Sequence, residues 1–224
     1  LVGGIHNQGD EIGDAHIFCR ELHRVLAGRG VRFSFNAPIQ QLHVAGGTLK
    51  AVELASGLLP ADRVVVAAAS WSPALLTPLG VHVQIKPVKG YSLSMPLKPG
   101  AQALSLSLID DGLHAAASPF GRRLRLAGTA EFSGFNRHLD PKRLQTLWDF
   151  FDALGEPISS TGERSQATPW CGFRPMAADG RPYVGGTRIE GLYVSAGHGH
   201  LGWSQATASG KLLTPTMLGE KPDI

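Results

Sequence analysis

Cysteine is almost missing from this chain: Cys19 and Cys171 are its only two in 224 residues. Two are too few for a disulfide framework and lack the CxxC spacing of a structural zinc site, so both read as buried apolar fillers in a reducing compartment. Long hydrophobic runs are missing as well. Nothing approaches the length of a membrane-spanning helix, and no charged segment followed by an apolar core opens the chain as a secretory signal would. The cytoplasm is the expected compartment. Charge of one sign is also scarce. Lysine, arginine, aspartate and glutamate are intermingled with a net charge of +3, and no basic run interleaved with aromatics offers a nucleic-acid groove. Nucleic acid is therefore not an expected partner. Finally, there is no initiator methionine, and the opening "LVGGIHNQGD" has neither strand alternation nor helical periodicity. The start reads as a cut.

What is present is a core-forming chain. Hydrophobic residues make up 43% of it and mean hydropathy is near zero, which suits one large domain or two intimately connected ones. Asp14 can cap a helix carrying Ile17, Phe18, Leu22, Val25 and Leu26 at helical spacing, ending at Gly28 and Gly30. "VRFSF" reads as a strand. "QLHVAGGTLKAVEL" reads as a hairpin turning at Gly46-Gly47, and "DRVVVAAAS" as a strand buried on both faces. From about Ile85 to Phe132 short alternating segments separated by Pro and Gly suggest an antiparallel sheet. Asp140-Pro141 then opens a helix with Leu144, Leu147, Trp148 and Phe151 on one face, closed near Gly155. "GLYVSAG" is a short buried strand, and "WSQATASGKLLTPTML" a small-residue helix. The expected class is α/β with an α+β insertion.

Two stretches carry candidate chemistry. In "WCGFRPMAADGRPYVGG" Arg174 lies between an aromatic and a proline, a setting that favours a fixed, partly buried guanidinium able to grip a carboxylate through two parallel hydrogen bonds. Asp179-Gly180 reads as a structural turn. In "SAGHGHLGW" a strand ends in glycines, letting backbone approach a planar ligand, and the next helix aims its positive N-terminal end at that ligand. His198 and His200 form an H-x-H pair that could ligate a metal on a strand, but no third ligand stands at a convincing spacing, so no metal is expected.

Taken in order, "GDEIGD", "PVKGYSL", "GTAEFSGF", "WCGFRPMAADGRPYVGG" and "AGHGHLGW" resemble the C-terminal half of the FAD-dependent D-amino acid dehydrogenases, within the wider glycine oxidase and D-amino acid oxidase family. The resemblance runs over nearly the whole chain. It implies an FAD-binding dinucleotide domain, incomplete here, interrupted by an antiparallel substrate domain: residues 1–80 and 166–224 on the FAD side, 81–165 on the substrate side. The family's GxGxxG phosphate turn is not found in this chain, so the ADP half of the flavin site falls to a dinucleotide-binding segment outside it.

For the site, the resemblance assigns Arg174 to the substrate carboxylate. The segment Gly197, His198, Gly199, His200, Leu201 and Gly202 goes to the flavin, with amides near the ring edge where negative charge gathers on reduction. Ile39 matches a position touching adenine, and Lys89 in "PVKGY" one beside the cofactor. Tyr91 falls near the substrate side. Two departures stand out. Ala69 takes the place of a glycine that packs on the dinucleotide, and "DDGLHAAASP" offers His114 alone where an aromatic hydroxyl often lines the substrate site. His200 replaces an arginine or a small polar residue and is counted with both ligand sets.

The implied activity is oxidation of a D-amino acid or small amine to an imine and then a 2-oxo acid, by hydride transfer to FAD. The chain alone is expected to be inactive. A non-catalytic fragment or binding module of the same shape is the alternative. The electron acceptor is left open between oxygen and a membrane quinone chain; with the latter, the protein would sit at the inner face of the membrane.

Overall fold

The computed structural model describes residues 3–102 and 104–221. In chain order its elements are helix α1 (Ala15–Gly28), strands β1 (Ile39–Ala45), β2 (Thr48–Leu54), β3 (Gly57–Pro60) and β4 (Val64–Val66), helix α2 (Ser72–Leu76), and strands β5 (Ile85–Pro96), β6 (Leu108–Asp110), β7 (Ala115–Phe120) and β8 (Arg123–Glu131). Helix α3 (Pro141–Ala153), strands β9 (Thr168–Ala177), β10 (Tyr183–Gly186) and β11 (Leu192–Ala196), and helix α4 (Gly202–Leu218) follow. The chain divides into two compact units, one of Leu1–Leu26 with Lys89–Phe173, the other of Ala27–Val88 with Arg174–Ile224.

The first unit is built on a sheet ordered β6-β7-β8-β5-β9. Its inward rows are apolar because the register sets Leu93 opposite Leu126 and Met95 opposite Leu124, and Ala117 opposite Leu126. Helix α3 covers this face with Leu147, Phe150 and Phe151, all essentially without solvent contact. Its start is fixed locally: the Asp140 carboxylate accepts the Lys142 backbone N–H at 2.9 Å, and Pro141 occupies the first helical position, where no N–H is needed. Helix α1 is capped in the same way, Asp14 accepting from the backbone of His16 and Ile17, and Arg123 reaches Asp14 at 3.1 Å. The apolar stripe of α1 is nevertheless uncovered: Ile17, Phe18, Leu22 and Val25 are all exposed.

The second unit contains the antiparallel sheet β1-β2-β3 and the sheet β10-β11-β4. Gly46 and Gly47, both with positive φ, make the expected hairpin turn between β1 and β2. The early strand β4 and the late strand β11 lie side by side and parallel, Leu192 against Val64 and Val194 against Val66. Leu42, Leu49, Val66, Leu76, Leu192 and Val194 form the core.

Three expectations need correction. The segment "VRFSF" is in no sheet. Its Phe33 and Phe35 rings stack on each other at 6.1 Å, and no described strand offers it a ladder. "DRVVVAAAS" is a strand only over Val64–Val66. It pairs on one side alone, and the chain then tightens into a 3-10 turn at Ala69–Trp71. Cys19 is exposed on α1 and Cys171 half-buried, so neither is a core filler.

The β4–β11 pairing depends on one glycine. Gly191 has φ +80°, its carbonyl accepts the Val64 N–H at 2.8 Å, and a Cβ there would collide with the Asp62 carbonyl. Gly191→Ala therefore combines a left-handed backbone with a steric overlap. It should cost about 2–4 kcal/mol, read as a lower urea midpoint at unchanged slope.

Candidate functional site

In the second unit, strand β11 ends at Ala196 and the chain turns through Gly197 (φ +89°) and Gly199 (φ +58°) into α4. Glycine is required at both positions. A Cβ on Gly199 would overlap the Met176 sulfur, and one on Gly197 would press on Ile85, Tyr183 and Ala177. The turn borders a cavity of about 290 Å³ whose wall is made mostly of small residues: glycines and alanines including Ala67, Ala69, Gly197, Gly199 and Gly202, with Ser195, Ser209, Pro175 and His198 among the rest. The first turn of α4 opens onto this cavity through Gly202 and Ala206, so its unsatisfied N–H groups supply a positive field there.

His198 is fixed by Ser209, its Nε2 lying 2.8 Å from the serine hydroxyl. Burial lowers its pKa below 6.5 and keeps the imidazole neutral at physiological pH. Arg174, half-buried on β9, directly precedes the cavity-lining Pro175, and burial lowers its pKa from the ordinary arginine value. It stays a cation. Ala69 has φ +48°, a left-handed conformation that an alanine adopts only under strain. A larger cavity of about 380 Å³ lies along Gly80–Val83 and Tyr183–Arg188 and holds none of the residues singled out by sequence.

In the first unit, Lys89 is about 1% exposed and lies directly opposite Glu131 across β5 and β8. Its ammonium donates to the His138 carbonyl at 2.9 Å and stands 3.1 Å from Glu131 Oε2. The Tyr91 hydroxyl donates to the same carboxylate oxygen at 2.5 Å. Burial alone would lower the Lys89 pKa, but the bonds and charges of Tyr91 and Glu131 outweigh it and raise the value above 10.5. Glu131 is held below 4.5, first by the Tyr91 hydroxyl and then, against burial, by Lys89.

The sequence-predicted residues thus fall into separate places. Gly197, His198, Gly199 and Gly202 share the cavity wall. His200 and Leu201 are exposed on the turn. Ile39 begins β1 and is 42% exposed. Lys89 and Tyr91 are joined through Glu131, with Tyr91 also in the core under α3. His114 is exposed, at φ +49°, next to the start of β7. Sequence reading missed Glu131 and Ser209. Glu131 stands in the quoted "GTAEF", but nothing local shows that it opposes a lysine forty residues earlier; Ser209 looks like one more small residue of α4. Among the described residues no three His, Cys, Asp or Glu side chains cluster to hold a metal, and no helix is long and apolar enough to cross a membrane.

The chain as a whole has counterparts among known proteins. The family model described as FAD dependent oxidoreductase matches residues 1–215. The chain belongs to that family. It is 42% identical over its full length to a D-amino acid dehydrogenase of Methylobacterium radiotolerans and 40% identical to one of Xanthobacter autotrophicus. In each case it spans 53% of the relative, about half its length. Among solved structures, glycine oxidase from Geobacillus kaustophilus superposes with a TM-score of 0.80 at 21% identity, over 90% of this chain and 53% of that one. Iminodiacetate oxidase from a Chelativorans species does so at 0.80 and 23%, over 93% and 56%. At these identities the structures establish the shared fold.

The residues present fit the family's cofactor. The cavity wall, with three glycines and four alanines among its lining residues that carry at most one carbon of side chain, leaves room for a flat ring.

Two measurements probe these sites. Glu131 has a depressed folded-state pKa, so its contribution to stability is complete above the ordinary carboxylate value of 4.5 and is lost as pH falls through the depressed value. Glu131→Gln should lower the urea midpoint at neutral pH, and the gap to the unaltered protein should close in acid. A gap independent of pH would show that the charge is not what stabilises. At Ala69, relief of a left-handed alanine, roughly 1–2 kcal/mol, is set against roughly 0.5–1 kcal/mol of glycine backbone entropy. Ala69→Gly should therefore be neutral or stabilising by about 0–1.5 kcal/mol in a denaturant melt, whereas alanine-to-glycine changes elsewhere destabilise.

Proposed function

We propose that this chain carries the carboxylate grip and the ring-side half of the FAD site of an enzyme that oxidises D-amino acids or related small amines. One observation carries the reading: Arg174 is half-buried immediately before Pro175, which lines the same small-residue cavity as the Gly197–Gly202 turn. FAD, when bound, would accept the hydride from the substrate's α-carbon. The protein's own residues bind and orient. The Arg174 guanidinium takes a carboxylate through two parallel N–H bonds, which fixes both position and plane. The backbone of Gly197 and Gly199 lets the ring approach, since nothing projects from it, and the N-terminal turn of α4 presents N–H groups to an electron-rich edge. His198, kept neutral by burial and oriented by Ser209, adds no competing positive charge.

The relatives named D-amino acid dehydrogenase support the substrate class. Their extra length is consistent with the phosphate-binding turn lying outside this chain. The acceptor is oxygen or a quinone chain. A protein that keeps the shape without turnover is the outcome that the following test would expose.

In the FAD-loaded enzyme, Arg174→Lys should raise KM for amino acids, because an ammonium cannot reproduce the planar fork. Losing one charge-assisted bond in a desolvated site costs about 1.5–3 kcal/mol, which is roughly a tenfold to hundredfold loss in kcat/KM. Flavin content should not change, and an amine lacking a carboxylate should be turned over almost as before. Equal losses on both substrates, or loss of flavin, would assign Arg174 a structural role.

A further inference from the structure

The larger cavity of the second unit, about 380 Å³ in volume, is not used by the site above. Strand β10 forms one of its walls and the stretch Gly80–Val83, leading into β5, another. The sheet order makes β10 an edge: β11 pairs with it on one side and no described strand on the other. Which of its backbone groups are spare follows from the register. Gly185 opposes Val194 and Gly186 opposes Tyr193, and just past the strand the Thr187 N–H donates to the Leu192 carbonyl at 2.9 Å. Bonded and non-bonded positions alternate along an antiparallel pair. Tyr183, Gly185 and Thr187 therefore turn their N–H and C=O toward β11, while those of Val184 and Gly186 point out from the free edge, at the rim of the cavity that both residues line.

Side chains bridge both ends of this slot. At one end the Tyr183 hydroxyl accepts the Gln84 N–H at 3.1 Å. At the other, Arg188 Nη2 donates to the Leu79 carbonyl at 3.1 Å, and the guanidinium rests against Gly80, where a Cβ would collide with it. One bond thus holds the exposed Arg188 in place, and its Nε and Nη1 have no partner among the described residues. Val81, Val83 and Val194 give the cavity an apolar lining, and no aspartate or glutamate borders it. The complementary ligand has an apolar body, an anion at the Arg188 end and an amide for the spare groups of β10.

We propose that this cavity binds an acylamino carboxylate, that is, an apolar amino-acid residue with its nitrogen acylated and its carboxylate free. The carboxylate meets Arg188, the amide pairs with the outward N–H and C=O groups of Val184 and Gly186 as an added strand would, and the side chain lies against the valines. From Val184 to Gly186 the free edge runs for about 7 Å, which suits one or two residues between the bridged ends. A free N-acyl amino acid and the C-terminal residue of a peptide share this chemistry. The site lies wholly within the second unit and does not rest on the flavin reading.

The test follows the backbone amide resonances of Val184 and Gly186 while the ¹⁵N-labelled chain is titrated with N-acetyl-L-leucine. Both should shift saturably. N-acetyl-L-leucinamide, which lacks the carboxylate, and acetate, which lacks the amide and the apolar body, should each bind about tenfold more weakly or worse. Arg188→Gln should weaken N-acetyl-L-leucine by about tenfold, and Arg188→Lys, which keeps the charge, by less. Resonances that stay still, or that respond equally to the leucinamide, overturn the proposal, as does an unchanged affinity in Arg188→Gln. The first two results come from the unaltered protein, so a poorly folding variant does not blur them. An acetylated pentapeptide ending in leucine separates the two sources: binding as tight as that of N-acetyl-L-leucine assigns the site to a peptide terminus, and failure to bind assigns it to the free acylamino acid.

Discussion

A buried ammonium group sets the frame of the first unit. Lys89 lies near the start of the twelve-residue strand β5, the longest in the protein, and a charge in that position is tolerable only if its donors are satisfied. Three groups do so: the His138 carbonyl, the Glu131 carboxylate and the face of the Tyr91 ring, 5.0 Å away. Tyr91 lies on β5 itself and the other two come from elsewhere in the chain, so satisfying one side chain ties β5 to β8 and to the segment leading into α3. The pairing shifts register between Lys89 and Tyr91, where β8 carries an extra residue and Thr129 takes a positive φ. This bulge lets two residues on one face of β5 share a single carboxylate.

The division between pinned and unpinned polar groups follows from that arrangement. On the α3 face the register brings Leu93, Met95, Leu124 and Leu126 against Leu147, Phe150 and Phe151. On the opposite face the register sets Arg125 between Ser94 and Ser118 and Arg123 between Pro96 and Phe120, and the buried Arg125 Nε has no hydrogen-bond partner among the described residues. The cavity beside the Gly197–Gly202 turn is lined by small residues, two of them positive-φ glycines.

Much of this was legible in the sequence because it rests on local chemistry. Asp14 and Asp140 announced their helices, Gly46-Gly47 its hairpin, and the glycines of "SAGHGH" the turn that lines the cavity. What was not legible depends on partners remote in sequence. "VRFSF" has the composition of a strand, but a strand needs a neighbour, and none of the described strands supplies one. "VVVAAA" reads as a buried run, yet the backbone turns away after Val66. Tyr91 reads equally well as a site residue or as core; only the forty-residue reach to Glu131 shows where its hydroxyl goes. Arg125 drew no notice because "RRLRL" is the ordinary pattern of a strand with one wet face. The missing partner of its Nε is a property of its surroundings.

The one-sided pairing of β4 bears on how the protein behaves at high concentration. Three consecutive valines form an edge whose outer backbone groups have no ladder partner among the described residues. Arg63 precedes them, and no charge lies within the strand. An edge of this composition is a template for any extended apolar chain, including another copy's. Self-association at this edge would grow with concentration and would be relatively insensitive to salt, because the contacts are backbone hydrogen bonds and not ion pairs. Asp62 and Arg63, both exposed just before the strand, put opposite charges at its mouth and none along its edge.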